Sequence, residues 1–398
     1  MPRWDVIFDP RIEFNRELLE LLVKIEAFKL STSKIPLLPN FRKTLNTLNI
    51  VRQIRGTTGI EGNTLEEGNI EKLITERNQL KEGNDEGSME EIREAEEAAK
   101  PERTQEEQEV INAHNVLNFI RDIVNRNPEG IITEDLIKKL HYLNTEQCHY
   151  PGNVPGQYRQ GPVHAGEYLA PEHAQVPRLM DEFIRFINSR MALEGYKPII
   201  RAVIAHFYVV SIHPFCDGNG RVSRALEAYI LYQGGYNVSS FYSLANFYYK
   251  NRSGYINQLM AARFKYDGNL NAFVKFSLNG YLQEIEQVQN EILRFIKLLT
   301  FRDLFKEYLA MRDINSRQLA LLEYLTSLGQ PKVTVLFDLP TMGVVEYKRA
   351  THPMIKALYE KLTTKTLLRD LKGLEELELI KVVEGYIAAN IDVMDQFI

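Results

Sequence analysis

Residues 213–224 read His213-Pro214-Phe215-Cys216-Asp217-Gly218-Asn219-Gly220-Arg221-Val222-Ser223-Arg224, and they separate two helical patterns. Before them, apolar residues recur at helical spacing through 199–212, which predicts a buried helix that ends at His213. Pro214 removes a backbone donor and the glycines of 217–220 tolerate positive φ, so a turn is expected there. Helical spacing of apolar residues returns through 221–231. The stretch therefore predicts a helix, a tight loop and the N-terminus of a second helix.

The loop and the helix after it form a predicted anion site. A helix N-terminus presents free amide groups and the positive end of its dipole, and glycines let a bulky anion approach the backbone. Arg221 and Arg224 are three residues apart, so both side chains can reach the same anion. Histidine titrates near neutrality, so His213 can take a proton from an attacking hydroxyl, while Asp217 can hold Mg²⁺ against phosphate oxygens. The set predicts phosphoryl or nucleotidyl transfer.

Each of these residues also has an ordinary structural interpretation. A single histidine at a helix end is usually a structural hydrogen-bonding residue, and Asp-Gly-Asn-Gly is usually a turn. Two other motifs fail on chemistry. His213 and Asp217 cannot pair as metal ligands on one continuous helix, because Pro214 and the glycines break it. A P-loop needs Lys and then Ser or Thr after its glycines, where this chain has Arg221-Val222.

The stretch resembles the signature of the Fic family, His-x-Phe-x-Asp/Glu-Gly-Asn-Gly-Arg-x-x-Arg, at every specified position. The resemblance implies an enzyme that moves AMP from ATP to a Ser, Thr or Tyr hydroxyl of a target protein. It implies that His213 is the general base, that Asp217 is the Mg²⁺ ligand, and that Arg221 and Arg224 contact the β- and γ-phosphates.

The same resemblance assigns the other positions of the signature. It implies a cradle for the α- and β-phosphates, formed by Gly218, Asn219 and Gly220. Phe215 is expected to point inward as an anchor. Cys216 lies at a variable position of the signature, so we expect it to be a space-filling residue and not a nucleophile.

A second segment, 57–63, has the sequence Thr57-Thr58-Gly59-Ile60-Glu61-Gly62-Asn63. It resembles the inhibitory pattern Ser/Thr-x-x-x-Glu-Gly/Asn of the same family. That resemblance implies an inhibitory helix whose Glu61 occupies Arg224, so that the γ-phosphate of ATP cannot bind productively. A carboxylate and a phosphate then compete for one guanidinium. The Gly-Asn pair is also typical of a helix C-terminus, and both interpretations can hold together.

A third segment, Pro155-Gly156-Gln157-Tyr158-Arg159 through Pro171, resembles the β-hairpin flap of Fic proteins. In the family the target backbone docks on this flap by strand addition, which implies target docking at Val163 and His164. Large apolar residues commonly follow the Val in the family, whereas His164 and Ala165 stand here. Tyr255 falls where relatives close the adenine pocket with an aromatic ring, and Ile256 where they often have a second Tyr.

The composition is typical of an enzyme from a reducing compartment. The chain has 398 residues, of which 44% are hydrophobic, and this is enough for two or three domains. Its net charge of -5 is unfavourable for general nucleic-acid coating. It has only two cysteines, Cys148 and Cys216, so a disulfide framework is not expected. The start lacks the pattern of a signal peptide, and charged residues interrupt the most apolar stretch. We therefore expect a cytoplasmic protein without a membrane partner.

The expected fold class is mostly α: a Fic-type helical core with a small β-hairpin flap, plus a C-terminal winged-helix-like domain. The expected domains are an N-terminal helical region with the inhibitory helix (1–108), the Fic catalytic core (109–280), a linker helix (281–312) and the winged-helix-like domain (313–398). The acidic run Glu82 to Glu107 is expected to be a solvated helix or a mobile insertion, with a specific site for a basic partner as the alternative.

The C-terminal domain is predicted from three helices and a hairpin. Helices are predicted at Ser316 to Leu328, at Ile355 to Leu362 and from Thr363, and strands at 380–383 and 386–389. The third helix carries Lys365, Arg369 and Lys372 but also acidic residues, so DNA binding and a protein-docking or dimerising role both remain open.

Two classes of function follow. The first is an autoinhibited protein adenylyltransferase with ATP and Mg²⁺, whose partner is a hydroxyl side chain of a target protein or of itself. Variants of that chemistry, removal of AMP or transfer of another phospho group at the same site, stay open. The second is a winged-helix transcriptional regulator in which the Fic part senses a nucleotide. A homodimer is compatible with either.

Overall fold

The computed structural model describes residues 3–82, 103–236, 244–327, 358–359, 362–383 and 386–397. The chain divides into two compact units, Met1–Val288 and Gln289–Ile398. The predicted helix at Ile355 to Leu362 and the acidic run Glu82 to Glu107 fall largely outside the described residues.

The first unit is helical. Its helices are α1 (Arg16–Ser33), α2 (Pro39–Gly59), α3 (Glu67–Glu82), α4 (Gln105–Arg126), α5 (Glu134–Thr145), α6 (Val176–Ile187), α7 (Arg190–Gly195), α8 (Pro198–Ile212), α9 (Asn219–Gln233), α10 (Leu244–Lys250), α11 (Arg252–Met260) and the first part of α12 (Asn271–Met311).

Helix α8 lies at the centre of this unit because it is apolar on all sides. From Ile199 to Ile212 every residue except Arg201 is buried. A helix without a polar face is stable only when other elements surround it. Helix α9 packs along α8 and also against α4 and α5. The loop between α8 and α9 is therefore held by buried helices on both sides.

The described residues of the first unit contain one short antiparallel hairpin, made by β1 (His164–Ala165) and β2 (Tyr168–Leu169). His164 pairs with Leu169, and Arg3 forms a parallel bridge to Leu169. The expected fold class, mostly α with a small hairpin, is confirmed.

The second unit consists of the rest of α12, helices α13 (Ser316–Ser327) and α14 (Thr364–Glu376), and the antiparallel strands β3 (Ile380–Val383) and β4 (Tyr386–Ala389). Helix α14 begins after Thr363, at the predicted position. The core of the unit includes Phe301 and Phe305. Both residues lie in the segment that was expected to be a linker helix.

No helix in the described parts of the chain is long and apolar enough to cross a membrane.

Candidate active site

The loop between α8 and α9 bends sharply at two residues. His213 ends α8 in the left-handed conformation, with φ 53° and ψ 58°, and its N–H donates to the Val209 carbonyl. Gly218 precedes α9 with φ 76°, a value that favours glycine. A Cβ atom there would also lie 2.9 Å from the Thr145 side chain. These two bends turn the chain from one helix directly into the next.

The imidazole of His213 has a defined tautomer. Its Nδ1 lies 3.2 Å from the Val210 carbonyl oxygen, and a carbonyl can only accept, so Nδ1 carries the proton. Nε2 is left with its lone pair. Burial and the nearby cations Arg263 and Arg159 lower the pKa of His213 to about 4. At neutral pH the residue is therefore an uncharged base.

Phe215 anchors the loop in the core, as expected. Its side chain is buried and stacks on the ring of His141, with centroids 3.7 Å apart and an interplanar angle of 2°. The Asn219 side chain accepts from the Phe215 N–H at 2.9 Å and donates to the Phe215 carbonyl at 2.8 Å. The Asn219 side chain therefore fixes the backbone of the loop at Phe215.

His141 of α5 fixes the loop at Asp217, and sequence analysis missed this role. The Gly156 N–H donates to Nδ1 of His141 at 2.8 Å, so Nε2 carries the ring proton and donates to the Asp217 carbonyl at 3.1 Å. The buried ring of His141 thus links three parts of the chain: α5, the segment at Gly156 that leads to the flap, and the loop between α8 and α9. A lone histidine within a helix gives no local signal of such a role.

Asp217 and Arg221 form an ion pair at the start of α9. Nη2 of Arg221 lies 2.8 Å from Oδ1 of Asp217, and the Gly218 N–H donates to the same oxygen. The Asp217 side chain is 47% exposed, whereas that of Arg221 is 3% exposed. The carboxylate is therefore fixed on one side and open to solvent on the other.

Arg221 is surrounded by acceptors. Nη1 donates to the Tyr150 hydroxyl, and the guanidinium lies 4.7 Å from the centre of that ring. The Tyr150 hydroxyl in turn donates to Oε1 of Glu109 at 2.6 Å. Although burial opposes the charge, Tyr150, Glu61 and Asp217 together raise the pKa of Arg221, so it is a permanent buried cation. Sequence analysis missed Tyr150 and Glu109, because neither belongs to a motif.

Arg224 is bound by the end of α2. Its Nη2 donates to Oε1 of Glu61 at 2.7 Å and to the Thr57 carbonyl at 3.0 Å, and its Nε donates to the Thr57 hydroxyl at 3.0 Å. A Cβ atom on Gly220 would lie 2.2 Å from Oε1 of Glu61, so only glycine lets the carboxylate approach here. Glu61 and Arg224, which the sequence resemblance pairs across 163 positions, are therefore in direct contact.

The Glu61 carboxylate is ionised in this contact. Burial alone would raise its pKa, but the charge of Arg224, the hydrogen bond from Arg224 and the charge of Arg221 outweigh it, so the pKa lies below its ordinary value. The turn after Glu61 is also fixed: Nδ2 of Asn63 donates to Oε2 of Glu109 at 2.9 Å. Glu109 thus contacts both the turn after α2 and, through Tyr150, the surroundings of Arg221.

Arg159 connects the flap to His213. Its guanidinium donates to the carbonyls of His213 at 2.7 Å, Gly161 at 2.8 Å and Pro171 at 2.6 Å. His164 is exposed on β1 and Val163 is half-buried just before it. The predicted docking residues therefore lie on a hairpin whose base is attached to the left-handed end of α8.

Tyr255 is a buried residue in this structure. Its side chain is 3% exposed, its hydroxyl lies 2.8 Å from Nε2 of His206, and its ring stacks on Tyr248. It lies in an aromatic cluster within the first unit, so a role at an adenine pocket stays a prediction.

Comparison with known proteins agrees with this geometry. Residues 131–231, which include the loop, match the sequence model of the Fic/DOC family. Residues 131–231 are thus similar to a Fic domain. The matched segment begins just before α5 and ends within α9.

Relatives by sequence are named as adenylyltransferases. The chain is 26% identical over 227 residues to "Protein adenylyltransferase Fic" of Aedes aegypti, a match that covers 57% of this chain and 39% of that protein. It is 38% identical over 81 residues to the Drosophila erecta protein of the same name, which covers 20% of this chain and 16% of the relative. The chain thus spans about two fifths or less of these relatives.

Solved structures share the fold. A Fic family protein from Desulfovibrio desulfuricans G20 superposes with a TM-score of 0.55 and 18% identity, covering 94% of this chain and 93% of that chain. Fic-1 from C. elegans, residues 134–508, gives a TM-score of 0.51 and 21% identity and covers 70% of this chain and 72% of that one.

Proposed function

We propose that this protein is an autoinhibited protein adenylyltransferase that transfers AMP from ATP to a hydroxyl side chain of a target protein. The observation that carries the proposal is the occupation of Arg224 by Glu61, directly beside the loop that joins the predicted base to the predicted anion site. The names of the sequence relatives support the same activity.

The proposed reaction uses His213 as its base. The hydroxyl oxygen of the target attacks the α-phosphorus of ATP, its proton passes to Nε2 of His213, and the bond to the β-phosphate oxygen breaks. The products are a phosphodiester between AMP and the target, and pyrophosphate. The fixed Nδ1 proton supports this role because it leaves Nε2 as the only ring nitrogen able to accept.

The two arginines have separate proposed roles. Arg221 is a buried cation at the start of α9 and would contact the β-phosphate. Arg224 would contact the γ-phosphate once Glu61 has left it. The two side chains of that ion pair differ in exposure, 2% for Arg224 and 39% for Glu61. When ATP displaces Glu61, the carboxylate therefore returns to water. The Arg224 guanidinium then exchanges that carboxylate for the γ-phosphate.

Mg²⁺ is proposed to arrive with ATP. It commonly uses one or two carboxylates and takes its other ligands from phosphates and water. Asp217 fits this use, because its carboxylate is half exposed beside the predicted cradle and is oriented by Arg221 and Gly218. No group of three or more His, Cys, Asp or Glu residues within the described ranges could hold a metal by itself. A metal that enters with its substrate fits this single-carboxylate site.

The flap is the proposed docking site for the target. A hairpin of two-residue strands leaves backbone groups at its edge that an extended peptide can pair with. Arg159 joins the flap to the His213 carbonyl. A target docked at Val163 and His164 would then present its hydroxyl at a fixed distance from the base.

The second unit is proposed to be a winged-helix-like module for protein docking. On α14, the Lys372 side chain lies 3.6 Å from Glu376 and that of Arg369 lies 3.9 Å from Asp370. Neighbouring carboxylates weaken the attraction of these cations for phosphates, which favours a protein partner over DNA.

Mass spectrometry of the Glu61→Gly protein tests the proposed reaction. The protein is incubated with ATP, Mg²⁺ and cell extract, and modified peptides are then sequenced. We expect AMP on Ser, Thr or Tyr side chains, and none when His213→Ala is added, because the base is then absent. Recovery of no AMP-modified peptide from the folded Glu61→Gly protein, or of another transferred group, would refute the proposal.

A further inference from the structure

The last turn of α8 contains a carbonyl that the helix itself cannot satisfy. In a continuing helix, the N–H of residue 214 would donate to the Val210 carbonyl, but that residue is Pro214 and has no N–H. The structure fills this position with Nδ1 of His213, at 3.2 Å. The proton position on the predicted base therefore depends on one backbone oxygen.

Arg263 binds the same oxygen from another element. Its Nη2 donates to the Val210 carbonyl at 3.2 Å, and its Nε donates to the Ser211 hydroxyl at 3.0 Å. Arg263 belongs to a π-helical turn, Ala261–Lys265, that follows α11. Such turns are rare and occur often at functional sites.

The guanidinium of Arg263 is buried without a carboxylate. The residue is 4% exposed, and none of the ion pairs found among the described residues involves it. It lies instead against aromatic rings, 4.2 Å from the centre of Tyr168 and 5.8 Å from that of Phe207. A buried cation is costly when no anion compensates it, so its place beside the end of α8 requires a reason.

We propose that Arg263 is a positioning residue for His213: it holds the Val210 carbonyl that fixes the imidazole proton on Nδ1, and its charge disfavours a second proton on the ring. The inference rests on the proposed function, in which His213 is the base. The negative end of the α8 dipole would otherwise favour an imidazolium at this position. Arg263 opposes that effect and keeps the lone pair on Nε2 available.

The charges around His213 agree with this role. Arg159 donates to the His213 carbonyl and, with Arg263, lowers the pKa of the ring, whereas Glu61 acts in the opposite direction. Removal of the Arg263 charge should therefore raise the pKa of His213. Because a base functions only when unprotonated, the acid limb of the transfer rate should then move to higher pH.

The test compares Arg263→Gln with Arg263→Lys, both in the Glu61→Gly protein. Glutamine removes the charge and retains an N–H donor, whereas lysine retains the charge and loses the planar pair of donors. The first readout is NMR of protein labelled with ¹⁵N in its histidines, with the His213 signals assigned from His213→Gln. It reports the tautomer and the pKa of the ring without any need for turnover.

For Arg263→Gln we expect the His213 pKa to rise by about one unit, a tenfold change in the protonation constant. The acid limb of the AMP-transfer rate should move by the same amount. For Arg263→Lys we expect an unchanged acid limb and a lower kcat at unchanged KM for ATP, because the ring is less well oriented.

A His213 pKa and tautomer identical in the parent and in Arg263→Gln would overturn the inference. If Arg263→Gln does not fold, Arg263→Lys tests the inference instead. A kcat, a KM for ATP and a His213 tautomer equal to those of the parent would then overturn the inference. Failure of the proposed function can be distinguished from failure of this inference. In that case Arg263→Gln would still change the His213 pKa measured by NMR, but the protein would transfer no AMP.

Discussion

Arg224 makes three hydrogen bonds to the end of α2, one to Glu61 and two to Thr57. The carboxylate supplies the charge that competes with a phosphate, and the Thr57 hydroxyl and carbonyl fix the plane of the guanidinium. In the proposed inhibition, Arg224 is therefore held by one ion pair and two neutral acceptors. Of these three acceptors, only the Glu61 carboxylate corresponds to a charged group of ATP, which is the γ-phosphate.

The Thr57 hydroxyl can be tested separately from the ion pair. Thr57→Val removes the acceptor for Nε of Arg224 at nearly constant volume, and a net hydrogen bond is worth about 1 kcal/mol. We expect basal AMP transfer to increase about fivefold, measured as initial rates with α-labelled ATP. Thr57→Ser keeps the hydroxyl and should behave like the parent. A valine variant no faster than the serine variant would show that this hydroxyl does not contribute to inhibition.

At the scale of elements, the position of α2 depends on a close fit to α10. A Cβ atom on Gly56 would lie 2.6 Å from the carbonyl carbon of Ala245 and from the backbone nitrogen of Asn246. The two backbones are therefore nearly in contact one turn before Glu61. This packing directs the C-terminal end of α2, with Thr57, and the turn after it, with Glu61, toward α9.

Gly56→Ala should push α2 away from α10. Overpacking of this kind costs about 1–3 kcal/mol, and we expect the free energy of unfolding in urea to fall by that amount. Gly68→Ala is the matched control, because the space around Gly68 in α3 is open. It should be neutral or stabilise by about 0.4–1 kcal/mol. Equal stability of the two alanine variants would contradict the close packing of α2 on α10.

Local patterns in the sequence predicted the elements of the site well. The helix, loop and helix around His213 follow from helical periodicity that is interrupted by Pro214 and glycines. The side chains that support the loop could not be found in this way. His141 acts on Asp217 across 76 positions, and Arg159 acts on His213 across 54. Such contacts depend on how helices pack, and a single sequence does not record that packing.

At the scale of the whole molecule, the sequence predicted a helical core and a separate C-terminal module, and the chain divides into two compact units. Helical periodicity through 281–312 predicts a linker helix, and in the second unit Phe301 and Phe305 of this segment are fully buried with Leu321 and Leu374. Periodicity identifies an apolar face, but the partner of that face is set by tertiary packing.

The proposed regulation also spans the molecule, because Glu61 and the arginine that it occupies, Arg224, are 163 positions apart in the chain. Initial rates of AMP transfer from α-labelled ATP, compared between the wild type and Glu61→Gly, test this arrangement most directly. We expect Glu61→Gly to be at least about tenfold faster, about 1.4 kcal/mol in the barrier, because Arg224 is then free for the γ-phosphate. Equal rates for the two folded proteins would contradict it.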